Sequence, residues 1–218
     1  LALAAFAKGA SVLEDSRYLQ TAQNLAEFIY SQLFNKERLS HLWVKGLPYQ
    51  DGFLEDYSYV GWGLRCLFGS TQEPRWFEAF KVINKLQHKL FYDPKDRTYY
   101  ETLDPLPTAD VRSVRWLDQA LPSPAAVALG NDLWLHTATG NMKQKNLSLG
   151  LLNAQYHLRK HPRWYPSLLM LKNQLSAGFK EVVVAQPASK HSSKTKAVIL
   201  RDLGSNSYQP FSLTLVGR

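Results

Sequence analysis

Glu55 and Asp56 stand side by side where a loop runs into an apolar helix, in Gly52-Phe53-Leu54-Glu55-Asp56-Tyr57. Asp118 stands in a second loop, close to Trp116 and just ahead of another helix start. Two carboxyls brought from different helices are what sugar chemistry requires: one, kept protonated, serves as an acid while the other serves as a base or nucleophile. Aromatic rings beside such acids stack on sugar rings. Glu55, Asp56 and Asp118 are therefore the candidate catalytic residues, with Trp116, Tyr57, Trp62 and His41 as candidate substrate contacts. A structural reading stands next to this one. Asp56 suits the capping of its helix, both acids favour the positive end of the helix dipole, and Asp118 suits an Asx turn.

The histidines add little. His41 lies in a hairpin loop that can face the same cleft. His157 and His161 have the i, i+4 spacing of a metal pair, but Pro162 follows and no acid is near, so no metal site is expected. There is no glycine-rich phosphate loop and no G-x-S-x-G elbow, so no cofactor is expected. Cys66 is the sole cysteine, which excludes an internal disulfide and a CxxC pair. Its neighbours Leu64, Leu67 and Phe68 predict a buried, inert thiol, and a reducing, cytoplasmic setting fits.

Seven helix-period segments position these residues. The first covers about 1–13 and the second carries Leu19, Ala22, Leu25, Ala26, Ile29 and Leu33. Residues 38–44 alternate like a short strand, and 45–52 read as a loop. The third helix starts near Asp56 and ends by Gly69; the fourth carries Phe77, Phe80, Ile83, Leu86 and Leu90. Thr98-Tyr99-Tyr100-Glu101 reads as extended. Ser123-Pro124 predicts a capped start for the fifth helix, running to about Thr137. The sixth carries Leu147, Leu151, Ala154 and Leu158, and the seventh Tyr165, Leu168, Leu175 and Phe179. Residues 181–185, 197–200 and 211–216 read as strands. Ser16-Arg17-Tyr18-Leu19, Pro74-Arg75-Trp76-Phe77 and Pro162-Arg163-Trp164-Tyr165 each open a helix in the same way, an echo that favours a solenoid or a closed ring of helix pairs.

The 218 residues suffice for a substantial core and carry a net charge of +8. That charge is uneven: −1 over residues 1–131 and +9 over 132–218. The basic lysines lie in a Ser/Lys-rich stretch without interleaved aromatics, so a solvated tail is expected and nucleic acid is not expected as a partner. No apolar run is long enough to span a membrane. The apolar start Leu1-Ala2-Leu3-Ala4-Ala5-Phe6 reads as a helix entered part-way, so the chain is expected to be a piece of something longer.

Gly52-Phe53-Leu54-Glu55-Asp56-Tyr57 and Asp118-Gln119-Ala120-Leu121-Pro122-Ser123 resemble two signature stretches of the thioredoxin-like spermatogenesis-associated protein family. The resemblance covers about residues 1–186. It implies the C-terminal half of an (α/α)6 barrel of the six-hairpin glycosidase type, similar to the barrels of N-acylglucosamine 2-epimerase and cellobiose 2-epimerase. In the family a thioredoxin-like domain precedes the barrel. Where the family continues Pro-Ser-Gly-Asn-Ser, this chain has Pro122-Ser123-Pro124-Ala125-Ala126, and the epimerases' paired histidines have no evident counterpart. The fold expected is thus mainly α: residues 1–180 as a half-barrel of helical hairpins, and 181–218 as a basic segment with short strands. The partners implied are a sugar-type small molecule, the other half-barrel and the thioredoxin-like domain. Two functions follow: carbohydrate-active work, whether sugar binding, epimerisation or glycoside hydrolysis by paired carboxylates, or a non-catalytic scaffold attached to the redox domain.

Overall fold

The structure, a computed structural model, describes residues 1–103, 111–140, 160–177, 180–186 and 211–217. Its helices are α1 (Ala2–Leu13), α2 (Ser16–Phe28, continued by a π turn over Ile29–Leu33), α3 (Leu54–Thr71), α4 (Pro74–Phe91), α5 (Pro124–Thr139) and α6 (Pro166–Ala177). The sixth helix expected from the sequence and the strand at 197–200 lie outside the described residues. Among the described residues there are also three strand pairs. β1 (Ser40–Val44) and β2 (Leu47–Asp51) are antiparallel, as are β3 (Tyr92–Asp93) and β4 (Thr98–Tyr99). β5 (Lys180–Gln186) and β6 (Phe211–Gly217) run parallel, with Lys180 opposite Phe211 and Gln186 opposite Gly217.

Local chemistry sets the helix ends. The Asp15 carboxylate accepts the Arg17 N–H at 2.8 Å at the start of α2. Pro74 and Pro124 occupy first helical positions, where the missing N–H costs nothing. Ser123 accepts the Ala126 N–H at 3.2 Å, as a serine N-cap should. β2 departs from the loop expected over 45–52. Lys45 and Gly46 both have positive φ, at 51° and 83°, and form the two-residue turn whose twist suits a hairpin. Of Leu47-Pro48-Tyr49-Gln50-Asp51 only Tyr49 favours a strand by residue type; pairing with β1 makes the segment a strand. Pro162–Trp164 is a 3-10 turn, and the helix proper begins at Pro166, so the third copy of the Arg-aromatic echo precedes its helix rather than opening it.

Contacts give the order of the helices. Tyr57 meets Phe91 and Phe68 meets Phe77, so α4 returns antiparallel to α3. Gly63 lies against Leu3, and Ser11 donates to Ser70 at 2.9 Å, so α1 runs parallel to α3. On the other side Tyr59 reaches Pro122 and Phe68 meets Trp134, so α5 also runs parallel to α3. Gly130 packs on Leu171, adding α6 next to α5. The result is an inner row, α1–α3–α5–α6, with α2 and α4 as returning helices. Two glycines allow the row to close up. A Cβ at Gly61 would meet Asn131 Nδ2 of α5 at 2.7 Å, and one at Gly63 would meet Leu3 of α1 at the same distance.

This arrangement sorts the connections. Tight turns join α1 to α2 and α3 to α4, with Glu14 and Gln72 in the left-handed region. The described parts of the long connections, β1–β2 and residues 92–103 and 111–123, lie at the opposite end, where α3 and α5 begin. Helix N-termini, with their unpaired N–H groups and positive dipole ends, therefore gather where the chain has most loop to spend. The core between the layers includes Tyr57, Leu64, Leu67, Phe80, Ile83 and Leu129, all within 1% of complete burial. Each such side chain contributes about 1.5–3 kcal/mol.

Candidate active site at the helix N-termini

β1 alternates, so Leu42 and Val44 point outward and are exposed while His41 and Trp43 share the other face. Trp43 sets its edge against Phe28, at 5.6 Å between centroids, and His41 meets Phe53 edge-on at 5.0 Å. That face brings His41 over the first turn of α3. Its Nδ1 lies 2.9 Å from Asp56 Oδ2. The same oxygen accepts the Phe53 N–H at 2.8 Å, the half of a capping box that an acid at the third helical position supplies. Both side chains are mostly covered but reachable, 27% and 20% exposed. Burial pushes the Asp56 carboxyl up, opposed by the bonds from His41 and Phe53.

Glu55 points to a different partner. Its Oε2 accepts from Arg115 Nη2 at 2.9 Å, and Arg115 Nε lies 2.9 Å from Glu101 Oε1. The second contact is an ion pair without hydrogen-bond alignment, since Nε finds no acceptor of good geometry. Glu101 is held in turn: its Oε2 accepts from Ser113 Oγ at 2.6 Å, and its carbonyl accepts the Leu54 N–H that opens α3. The connection from β4 to α5 is thus laced to the start of α3. Tyr59 donates to the Pro122 carbonyl at 2.6 Å. Its phenol is pushed up mainly by burial, with Glu55 and Asp118 adding to the rise and Arg115 opposing it.

Asp118 has both oxygens occupied. Oδ1 accepts the Ser123 N–H at 2.5 Å and Oδ2 accepts the Ser167 N–H at 2.7 Å. One carboxylate therefore ties the start of α5 to the start of α6. Trp116 donates its indole N–H to Thr98 Oγ1 at 3.2 Å and packs on the core. Tyr57 corrects the expectation that it walls a substrate site: it is completely buried, rests on Phe91, and its hydroxyl accepts the Leu39 N–H at 2.8 Å. Position decides this, because Tyr57 faces α4 and the core while Asp56 faces the loops. Trp62 lies six residues, about 9 Å of helix axis, beyond Asp56. Its indole reaches Cys66, whose thiol burial pushes up. The structure so joins His41 with Asp56, and Glu55 with Arg115 and Glu101. Arg115, Glu101 and Tyr59 were missed by sequence reasoning; the one signal was Arg115 standing next to Trp116. Among the described residues no group of three His, Cys, Asp or Glu could hold a metal ion.

No family model matches the chain. It is 29% identical over 212 residues to spermatogenesis-associated protein 20 of Rattus norvegicus and 28% identical over 211 residues to that of Homo sapiens, 91% of this chain in each case. The Mus musculus protein is 32% identical over 152 residues, 68% of the chain. The chain is a homologue of spermatogenesis-associated protein 20. It spans only 26%, 19% and 27% of the length of the rat, mouse and human relatives. Among solved structures, a family 76 glycoside hydrolase from a bovine Bacteroides thetaiotaomicron strain superposes with a TM-score of 0.53 at 16% identity. That match covers 68% of this chain and 32% of the hydrolase. The fold is that of helical hairpins in part of an (α/α)6 toroid. No helix among the described residues is long and apolar enough to cross a membrane.

Proposed function

We propose that this chain supplies part of a sugar-binding cleft at the N-terminal end of its inner helices, and that His41, held by Asp56, moves a proton on the bound sugar. The observation that carries the reading is the 2.9 Å contact between His41 Nδ1 and Asp56 Oδ2. A carboxylate on Nδ1–H fixes the ring and stabilises imidazolium, leaving Nε2 to take or give a proton. Such a pair suits abstraction and return of a proton at carbon, the chemistry of epimerisation. Glycoside hydrolysis by paired carboxylates is less well served, because Asp118 spends both oxygens on backbone N–H groups and Glu55 is paired with Arg115. The Glu55–Arg115–Glu101 chain offers sugar hydroxyls fixed donors and acceptors. The carbohydrate-active hydrolase of similar fold supports the substrate class.

A scaffold role remains the second reading, favoured by the way Asp118 and Tyr57 are consumed in holding backbone together. One experiment separates the two. The protein is incubated with a panel of free sugars in deuterated water, and deuterium entry at carbon is followed by NMR beside thermal-shift binding. Exchange into one sugar, lost on the order of 100-fold in His41→Gln with binding retained, supports the proposal. Neither binding nor exchange with any sugar contradicts it and leaves the scaffold.

A further inference from the structure

Toward the same end of the molecule, in the last turn of α4, a second histidine is connected to a carboxylate, this time through a tyrosine. Asp132 on α5 is completely buried, as is Tyr99 on β4. The Tyr99 hydroxyl donates to Asp132 Oδ2, and Asn84 Nδ2 of α4 donates to Oδ1 at 3.0 Å. On its other side the Tyr99 hydroxyl lies 3.1 Å from Nδ1 of His88, on α4. The His88 ring stacks on Tyr92 of β3, 4.5 Å away and 17° from parallel, and remains partly exposed. So a partly exposed imidazole, a buried phenol and a buried carboxylate connect the surface to the seam between α4 and α5.

A phenol has one proton to give. While Asp132 is ionised that proton goes to Asp132, and the Tyr99 oxygen can only accept from His88. Burial first, and the Asp132 carboxylate second, hold the Tyr99 phenol well above its usual range, so Tyr99 keeps its proton. His88 must then carry hydrogen on Nδ1 and leave Nε2 bare, the reverse of the form that free imidazole prefers. We infer that His88, Tyr99 and Asp132 form a proton relay, with His88 Nε2 as the entry point to a carboxylate that water cannot reach. A proton arriving on Nε2 releases the Nδ1 proton to the Tyr99 oxygen, and the Tyr99 proton passes to Asp132. Imidazole and phenol end neutral, His88 ends with hydrogen on Nε2, and Asp132 ends as a carboxylic acid. The proton count balances. The device makes the packing of α4 on α5 responsive to pH through a surface group.

Among the described residues, these groups face it. Tyr92 covers the imidazole from β3, with Asp93 and Arg97 acting on that phenol. Tyr99 comes from β4, and Asp132 from α5 with His136 one turn further on. On α4 itself Gln87 reaches Tyr99, while Lys85 and Lys89 are exposed.

The test is the tautomer of His88 in the nitrogen-labelled protein, read by NMR at a pH where the ring is neutral. The relay predicts hydrogen on Nδ1 in the wild type. In Asp132→Asn the amide keeps its oxygen toward Asn84 and turns its N–H to Tyr99, which redirects the phenol proton to His88; hydrogen should move to Nε2. Tyr99→Phe should also give Nε2–H. Hydrogen on Nε2 in the wild type overturns the inference outright. So does an Nδ1–H form that survives Asp132→Asn, a substitution that retains shape and volume should the phenylalanine variant fail to fold.

Discussion

Replacing Asp118 tests whether its work is architectural. Its two oxygens accept backbone N–H groups from Ser123 and Ser167, at 2.5 and 2.7 Å, and so join the first turns of α5 and α6. A hydrogen bond to a charged group is worth about 1.5–3 kcal/mol, and the low end applies to a carboxylate that water partly reaches. Asp118→Asn keeps one acceptor and should lose about 1.5 kcal/mol; Asp118→Ala loses both and should lose about 3 kcal/mol. For a chain of this size each kcal/mol moves Tm by about 2–4 °C. Urea unfolding followed by circular dichroism gives both values, with the slope unchanged if the native fold persists. Variants as stable as the wild type within about 0.5 kcal/mol, especially if sugar-dependent proton exchange vanished in them, would refute the architectural role and return Asp118 to the catalytic residues.

Three further outcomes follow from the same geometry. Tyr57→Phe leaves the Leu39 N–H without its acceptor in the core, and urea unfolding should show a loss of about 1–3 kcal/mol with sugar binding intact. Asp56 has a carboxyl raised by burial, so the folded state holds its proton more tightly than the unfolded chain does; this contribution favours folding at low pH and is lost as pH rises from the ordinary carboxylate value through the raised one. Stability of the wild type relative to Asp56→Asn, measured across about pH 3.5 to 6.5, should therefore fall as pH rises. Gly61→Ala places a methyl 2.7 Å from Asn131 Nδ2 and disturbs its bond to the Ser58 carbonyl, costing about 1–3 kcal/mol by thermal unfolding.

Periodicity disclosed helices such as α2 and α4 because each buries one stripe, whereas α5, buried on every side over residues 124–133, was disclosed by Ser123-Pro124 because cap chemistry is local. β2 stayed hidden because its strand character comes from β1 and from the positive φ at both Lys45 and Gly46, which the glycine announces but the lysine does not. At the site, Glu55, Asp56 and His41 were legible as a loop-borne acid pair and a nearby histidine. Which acid His41 would meet was not, since that depends on the two-residue period of β1 set against the first turn of α3. Tyr57 misled for the opposite reason. One residue along a helix turns a side chain by 100°, enough to carry it from the loop face to the core. Arg115, beyond standing next to Trp116, and Tyr99 gave no sign of their partners, which lie 60 and 33 residues away.

The most direct test of a site centred on His41 and Asp56 is the nitrogen NMR spectrum of the His41 imidazole while the protein is titrated with each sugar in turn. A sugar that binds should shift the His41 ring nitrogens and leave those of His88 and His161 in place, and Asp56→Asn should abolish or redirect that response. A sugar that binds tightly without moving His41, or that moves a histidine elsewhere instead, would contradict the account.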